Sequence, residues 1–128
     1  MILREDGYIA LLTVIIVGAA AMAIALTLLL TGSDAQRSTL ITQQSIQARQ
    51  LAHACTEEAL QVIHDSTSYT GTGTLTLGTG GCSYTVSSTG ASTRTVTTTG
   101  TVSSVVRKVT ANVTIGASTI SVSSWQET

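Results

Sequence analysis

The chain has 128 residues and a net charge of −1 at pH 7, with six Lys and Arg against seven Asp and Glu. That length leaves room for one small domain beside an apolar amino-terminal segment and excludes a large enzyme core. The basic residues are dispersed, only Arg107 and Lys108 being adjacent, so no cationic stripe asks for nucleic acid as a partner.

First along the chain comes a short charged tail, "MILREDG", and then "YIALLTVIIVGAAAMAIALTLLLT", residues 8–31, with no charge between Asp6 and Asp34. As a helix this run of about 24 residues is long enough to cross a hydrocarbon layer of roughly 30 Å. It is too long for the apolar core of an export signal, about 7–15 residues, and "LTGSDAQ" is a poor match to a small-x-small cleavage site. The segment therefore reads as a transmembrane helix. Within it Gly18, Ala19, Ala20 and Ala23, with Ala21 and Ala25, form a patch of small residues. Two readings stand: a surface on which helix backbones approach closely in lipid, or alanine used simply as a good helix former.

Residues 32–65 become polar without losing helical character, and the chain contains no proline. In "STLITQQSIQARQLAHACTEEALQVIHD" the residues Ala48, Leu51, Ala52, Cys55, Ala59 and Val62 recur at helical spacing on one face. The expectation is one long helix, its first half transmembrane and its second amphipathic. A break at Gly32, followed by Ser33 and Asp34, is the alternative.

Beyond residue 65 the composition shifts, nearly half of the residues being Ser or Thr, with valine between them. Period-two alternation between glycine turns predicts strands at 74–77, 82–88, 93–102, 105–115 and 119–125. In the fourth, Val105, Val109, Ala111, Val113 and Ile115 share one face and Lys108, Thr110, Asn112 and Thr114 the other. Short connections imply an antiparallel sheet of four or five strands. The fold class is thus α+β, with the helical stripe of residues 48–62 the only cover in the chain for the sheet's apolar face.

Bulky core residues are scarce: there is no Phe, one Trp and three Tyr. Such a domain needs a staple. The two cysteines, Cys55 on the helical stripe and Cys82 at the start of the second strand, lack the C-x-x-C spacing of redox or zinc motifs and read as one disulfide in an oxidising compartment. Two free buried thiols are the alternative. Arg4 and Arg37 lie on opposite sides of the apolar run, so charge bias leaves orientation open. The disulfide settles the expectation, with the amino terminus cytoplasmic and the rest extracytoplasmic.

Residues that carry chemistry are sparse. His53 and Glu57 stand one helical turn apart, but a metal needs three or four ligands, and His64 is about three turns from His53. No metal and no cofactor is expected. No G-x-S-x-G turn is present, and "GTGTLTLGTGG" lacks the lysine and following helix of a phosphate loop. The acceptor pattern "NVT" at Asn112 falls within a strand, and Trp125 is read as closing the sheet edge, contact with another subunit being the sharper alternative. No catalytic residue is assigned.

The leader "MILREDG", the aromatic and apolar run "YIALLTVIIV", and a long helix leading into a disulfide-pinned sheet together resemble the type IV pilins, minor pilins and pseudopilins. The resemblance implies four parts: a leader at 1–7, a membrane and filament-core helix at 8–31, an amphipathic helix at 32–65 and a sheet domain at 66–128. It further implies cleavage after Gly7 by a prepilin peptidase and methylation of Tyr8. Other pilin subunits, the membrane and the pilus assembly machinery would be the partners, and the subunit would end in an extracellular filament. Leu12 stands where most of the family has a glutamate, which favours a minor or accessory subunit, or a filament whose register is set by packing alone. A different class also fits the residues: a single-pass anchored β-domain that binds a ligand or partner without polymerising.

Overall fold

The structure is a computed structural model that describes the backbone from Ile2 to Thr128 and the side chains from Asp6 onward. Helix α1 covers Ile2–Asp65 without interruption and is followed by five strands, β1 Gly71–Leu77, β2 Gly80–Ser88, β3 Thr93–Val102, β4 Val105–Ile115 and β5 Ile120–Glu127. Gly32 lies inside the helix, which resolves the sequence alternative. One interior glycine costs roughly 1 kcal/mol relative to alanine, too little to break a run of good helix formers. The helix ends at Asp65, beyond which the Ser66 amide still donates to the Val62 carbonyl at 2.9 Å and the Tyr69 amide turns back onto the Ser66 carbonyl at 3.0 Å. Two compact units result, one reaching Leu40 and the other formed by Ile41–Thr128.

In the second unit the strands form one antiparallel meander in the order β1-β2-β3-β4-β5. Two-residue turns join β1 to β2 and β3 to β4, with Gly78 and Ser103 at left-handed φ values of 61° and 55°. One face of the sheet is buried under the helix by Cys82, Tyr84, Val86, Val96, Thr98, Val102, Val109, Ala111 and Val113. From the helix come Ala48, Ala52, Cys55, Thr56, Ala59 and Ile63. The opposite face is a field of hydroxyls, in which Thr72, Thr85, Thr97 and Thr110 stand side by side across four strands. Threonine suits this position because its branched stem favours the strand while its hydroxyl faces water.

Three expectations are adjusted. The helical stripe ends at Ile63, fully buried, with Val62 half-buried, because spacings of four and three residues carry the line from Ala48 through Ala52, Cys55 and Ala59 to Ile63. Strand β1 starts three residues earlier than expected: Gly71 and Gly73 are paired, not turn, residues. The Tyr84 ring fills the space where a Gly73 side chain would lie. Finally, β5 runs on to Glu127, with a register shift against β4 between Asn112 and Val113.

Candidate functional site

The feature with most capacity for function is the surface of residues 8–31. Every described side chain there is exposed, among them Tyr8, Leu12, Val17, Met22 and Leu29. An apolar surface of that extent has no stable home in water, and lipid or other helices are its natural solvents. Its polar atoms are already satisfied within the helix. The Thr13 hydroxyl donates to the Ala10 carbonyl, Thr27 to Ile24 and Thr31 to Thr27, each at 2.8 Å. Such back-bonding removes the cost of carrying a hydroxyl into hydrocarbon. The helix is long and apolar enough to cross a membrane.

Gly18, Ala19, Ala20 and Ala23 do not make one stripe. At about 100° per residue, Ala19, Ala20 and Ala23 share an arc of roughly 100°, while Gly18 falls on the opposite face with Ala21 and Ala25. Space for a side chain at Gly18 is open, as it is at Gly7. Tyr8 is exposed beside Gly7, and the helix runs through both positions. Leu12, at 43% exposure, brings no carboxylate to this surface.

Cys55 and Cys82 form a disulfide with their Cα atoms 6.1 Å apart. It joins helix to sheet in the centre of the core, closing a separation of 27 residues for which the chain-entropy relation gives about 3.5 kcal/mol. Beside it the helix presses on β3. A side chain at Gly100 would collide with the Ala48 carbonyl oxygen and come within 2.7 Å of the Ala52 nitrogen. Glycine is what lets the helix backbone reach the sheet at that point. One turn further along, the Thr56 hydroxyl donates to the Ala52 carbonyl at 2.8 Å and accepts from Thr98 across the interface at 2.9 Å. Both threonines are fully buried, so this hydroxyl chain satisfies what would otherwise be costly polar atoms.

Arg94 is also buried. Its guanidinium donates to the carbonyls of Thr67, Gly90 and Thr93 and to the Ser88 hydroxyl at 3.0–3.3 Å, tying the segment after the helix to the β2–β3 connection. Nothing in the sequence marked Gly100, Thr56, Thr98 or Arg94, because each acquires its role only from strand register.

At the open edge of the sheet Glu127 gathers three groups from two elements. Its carboxylate lies 2.8 Å from His53 Nε2, accepts from Trp125 Nε1 at 3.1 Å, and faces Arg49 at 3.7 Å. The Trp125 indole stands over the His53 ring with centroids 5.1 Å apart. The Trp125 hydrogen bond chiefly holds the Glu127 carboxyl below its ordinary range; desolvation opposes it, and the nearby His53 and Arg49 add to the lowering. His53 is thus engaged with β5 rather than with Glu57. Among the described residues no three metal-ligating side chains cluster. Asn112 is committed as well: its amide accepts from Thr95 at 2.8 Å and donates to Ser124 at 2.9 Å.

A long amino-terminal helix, apolar in its first part and packed on an antiparallel sheet in its second, is a pilin-like architecture. Comparison with protein families, with curated proteins and with solved structures gives no match to this chain.

Proposed function

We propose that this chain is a structural subunit, minor or accessory, of a type IV pilus or related pseudopilus. The observation that carries the reading is the fully exposed apolar surface of residues 8–31, continuous in one helix with the segment that forms the core of the Ile41–Thr128 unit. Such a surface is stored in a bilayer and can later be buried among the helices of neighbouring subunits, where small residues permit close approach. The role is assembly rather than catalysis. In this reading a prepilin peptidase cuts between Gly7 and Tyr8, Tyr8 is methylated, and the sheet unit faces the oxidising side on which its disulfide forms. Subunits of the same or related chains are the partners, together with the assembly machinery, and no cofactor takes part.

Leu12 favours one other reading, an anchored β-domain that binds a partner and never polymerises, since no carboxylate is present there to pair with a neighbour's terminal amine. Mass spectrometry of the mature amino terminus from native membranes separates the two. A chain beginning at methylated Tyr8 is expected; intact Met1, or a start near Ser33, would refute the filament reading.

A further inference from the structure

Where the helix passes the start of β4, two arginines border one cleft. It has a volume of about 260 Å³ and is lined by Ser45 and Arg49 of the helix, Arg107 and Val109 of β4 and Glu127 of β5, with the paired backbones of Lys108 and Thr128 beside them. Alternation along β4 puts Arg107 on the helix-facing side, in line with the buried Val109, Ala111 and Val113. Its Nε and Nη2 donate to the Ser45 Oγ at 2.9 and 2.6 Å, which fixes the guanidinium against the helix. Three donor groups here have no acceptor within hydrogen-bond length among the described residues. Arg107 Nη1 makes no hydrogen bond, the Ser45 hydroxyl accepts twice and donates to nothing, and Arg49 reaches only the Glu127 carboxylate, at 3.7 Å. That carboxylate is already engaged by His53 Nε2 and Trp125 Nε1. Arg107 has no acidic partner among the described residues, so two guanidinium charges stand against one carboxylate.

We propose that this cleft binds a phosphodiester, with Arg107 Nη1, Arg49 and the Ser45 hydroxyl donating to its two non-bridging oxygens. The ligand class follows from charge and geometry. Guanidinium groups match phosphate oxygens in both spacing and charge. The acceptors of a tetrahedral phosphate spread towards donors that arrive from two elements, whereas a carboxylate offers its two oxygens in a single plane. Glu127 in the lining opposes a second negative charge, which selects the monoanionic diester over a dianionic monoester. The cleft holds several times the volume of a water molecule, so the ester arms fit beside the phosphate. Two sources carry this chemistry, a lipid headgroup and a soluble phosphodiester. The inference is independent of the filament reading and holds equally for an anchored domain that never polymerises.

The test uses the full chain in phosphate-free maltoside micelles, followed by NMR of the arginine Nε–H and backbone amide signals. Dimethyl phosphate should shift the Arg107, Arg49 and Ser45 signals saturably, and acetate should bind about tenfold more weakly. Arg107→Gln and Ser45→Ala should each weaken dimethyl phosphate binding about tenfold. Arg37→Gln, which removes a cation outside the cleft, should leave the affinity within about twofold. Strand amide signals that match the parent chain before ligand is added confirm the folding of each variant. In nanodiscs containing phosphatidylglycerol, signals already at the saturated position identify the headgroup as the source, and signals that move only when dimethyl phosphate is added identify a soluble ester. A shift that does not saturate, equal affinity for acetate, or an Arg107→Gln chain that binds as the parent does would overturn the inference.

Discussion

Gly100 shows how much of this fold depends on single atoms. Replacing it by alanine puts a methyl group against the backbone of Ala48 and Ala52, and backbone cannot swing aside as a side chain can. Overpacking of this kind costs about 1–3 kcal/mol, and Gly100→Ala should fall at the upper end, read as a lowered denaturation midpoint of the isolated sheet unit with an unchanged slope. Loss of the staple is the companion case. Cys82→Ser removes the 27-residue closure and should cost about 2–5 kcal/mol by the same measurement, with Cys55 becoming reactive to thiol reagents in the unfolded fraction. The cysteine pairing was legible in the sequence because two thiols downstream of an apolar segment leave one partner each. Gly100 was not, since its neighbours are 48 and 52 residues away along the chain and become adjacent only once β3 is placed under the helix.

Among the strands, β5 is the most exposed. Every residue of it except Ile120 is exposed; Ser123 and Ser124 bond to Asn112 of β4, Ile120 packs on the core, and Glu127 ties the strand's end to His53 and Arg49 of the helix. A carboxyl held below its ordinary range contributes stability above the unfolded value, near pH 4.3 for glutamate, and loses it as the pH falls through the lower folded value. The protection of the β5 amides, relative to their intrinsic exchange rates, should therefore fall below about pH 4 while β2 and β3 stay protected. Glu127→Gln should show the lower β5 protection already at neutral pH and remove the acid dependence of that protection; equal protection in both proteins would show that the latch adds nothing. The strands themselves were readable from alternation, and β3 and β4 begin and end where the pattern placed them. What alternation did not expose was this cluster, because the register of β5 contains a shift and no spacing rule predicts which helical residue its end will meet.

Taken whole, the molecule divides its apolar residues between two uses. In the Ile41–Thr128 unit a thin core of mostly Ala, Val, Cys and Thr, with Ile63 and Tyr84, packs between helix and sheet, while Ile41, Leu77 and Val106 stay exposed. The bulkier ones, the Leu and Ile of residues 8–31, are all on the outside. Helical periodicity exposed this division in the sequence: a run apolar on every side has no inward face, whereas residues 48–63 have one. If the division is functional, removal of the first unit should separate solubility from folding. A chain starting at Ile41 keeps every buried residue, the disulfide and the Arg94 and Glu127 contacts. It should be a soluble monomer in analytical ultracentrifugation, with a cooperative unfolding transition and protected strand amides. The full chain should instead partition with membranes and require detergent. A truncated chain that unfolds without cooperativity would show that the first unit contributes to the core, and a full chain that stays monomeric in water would mean its apolar helix finds cover that the isolated fold does not contain.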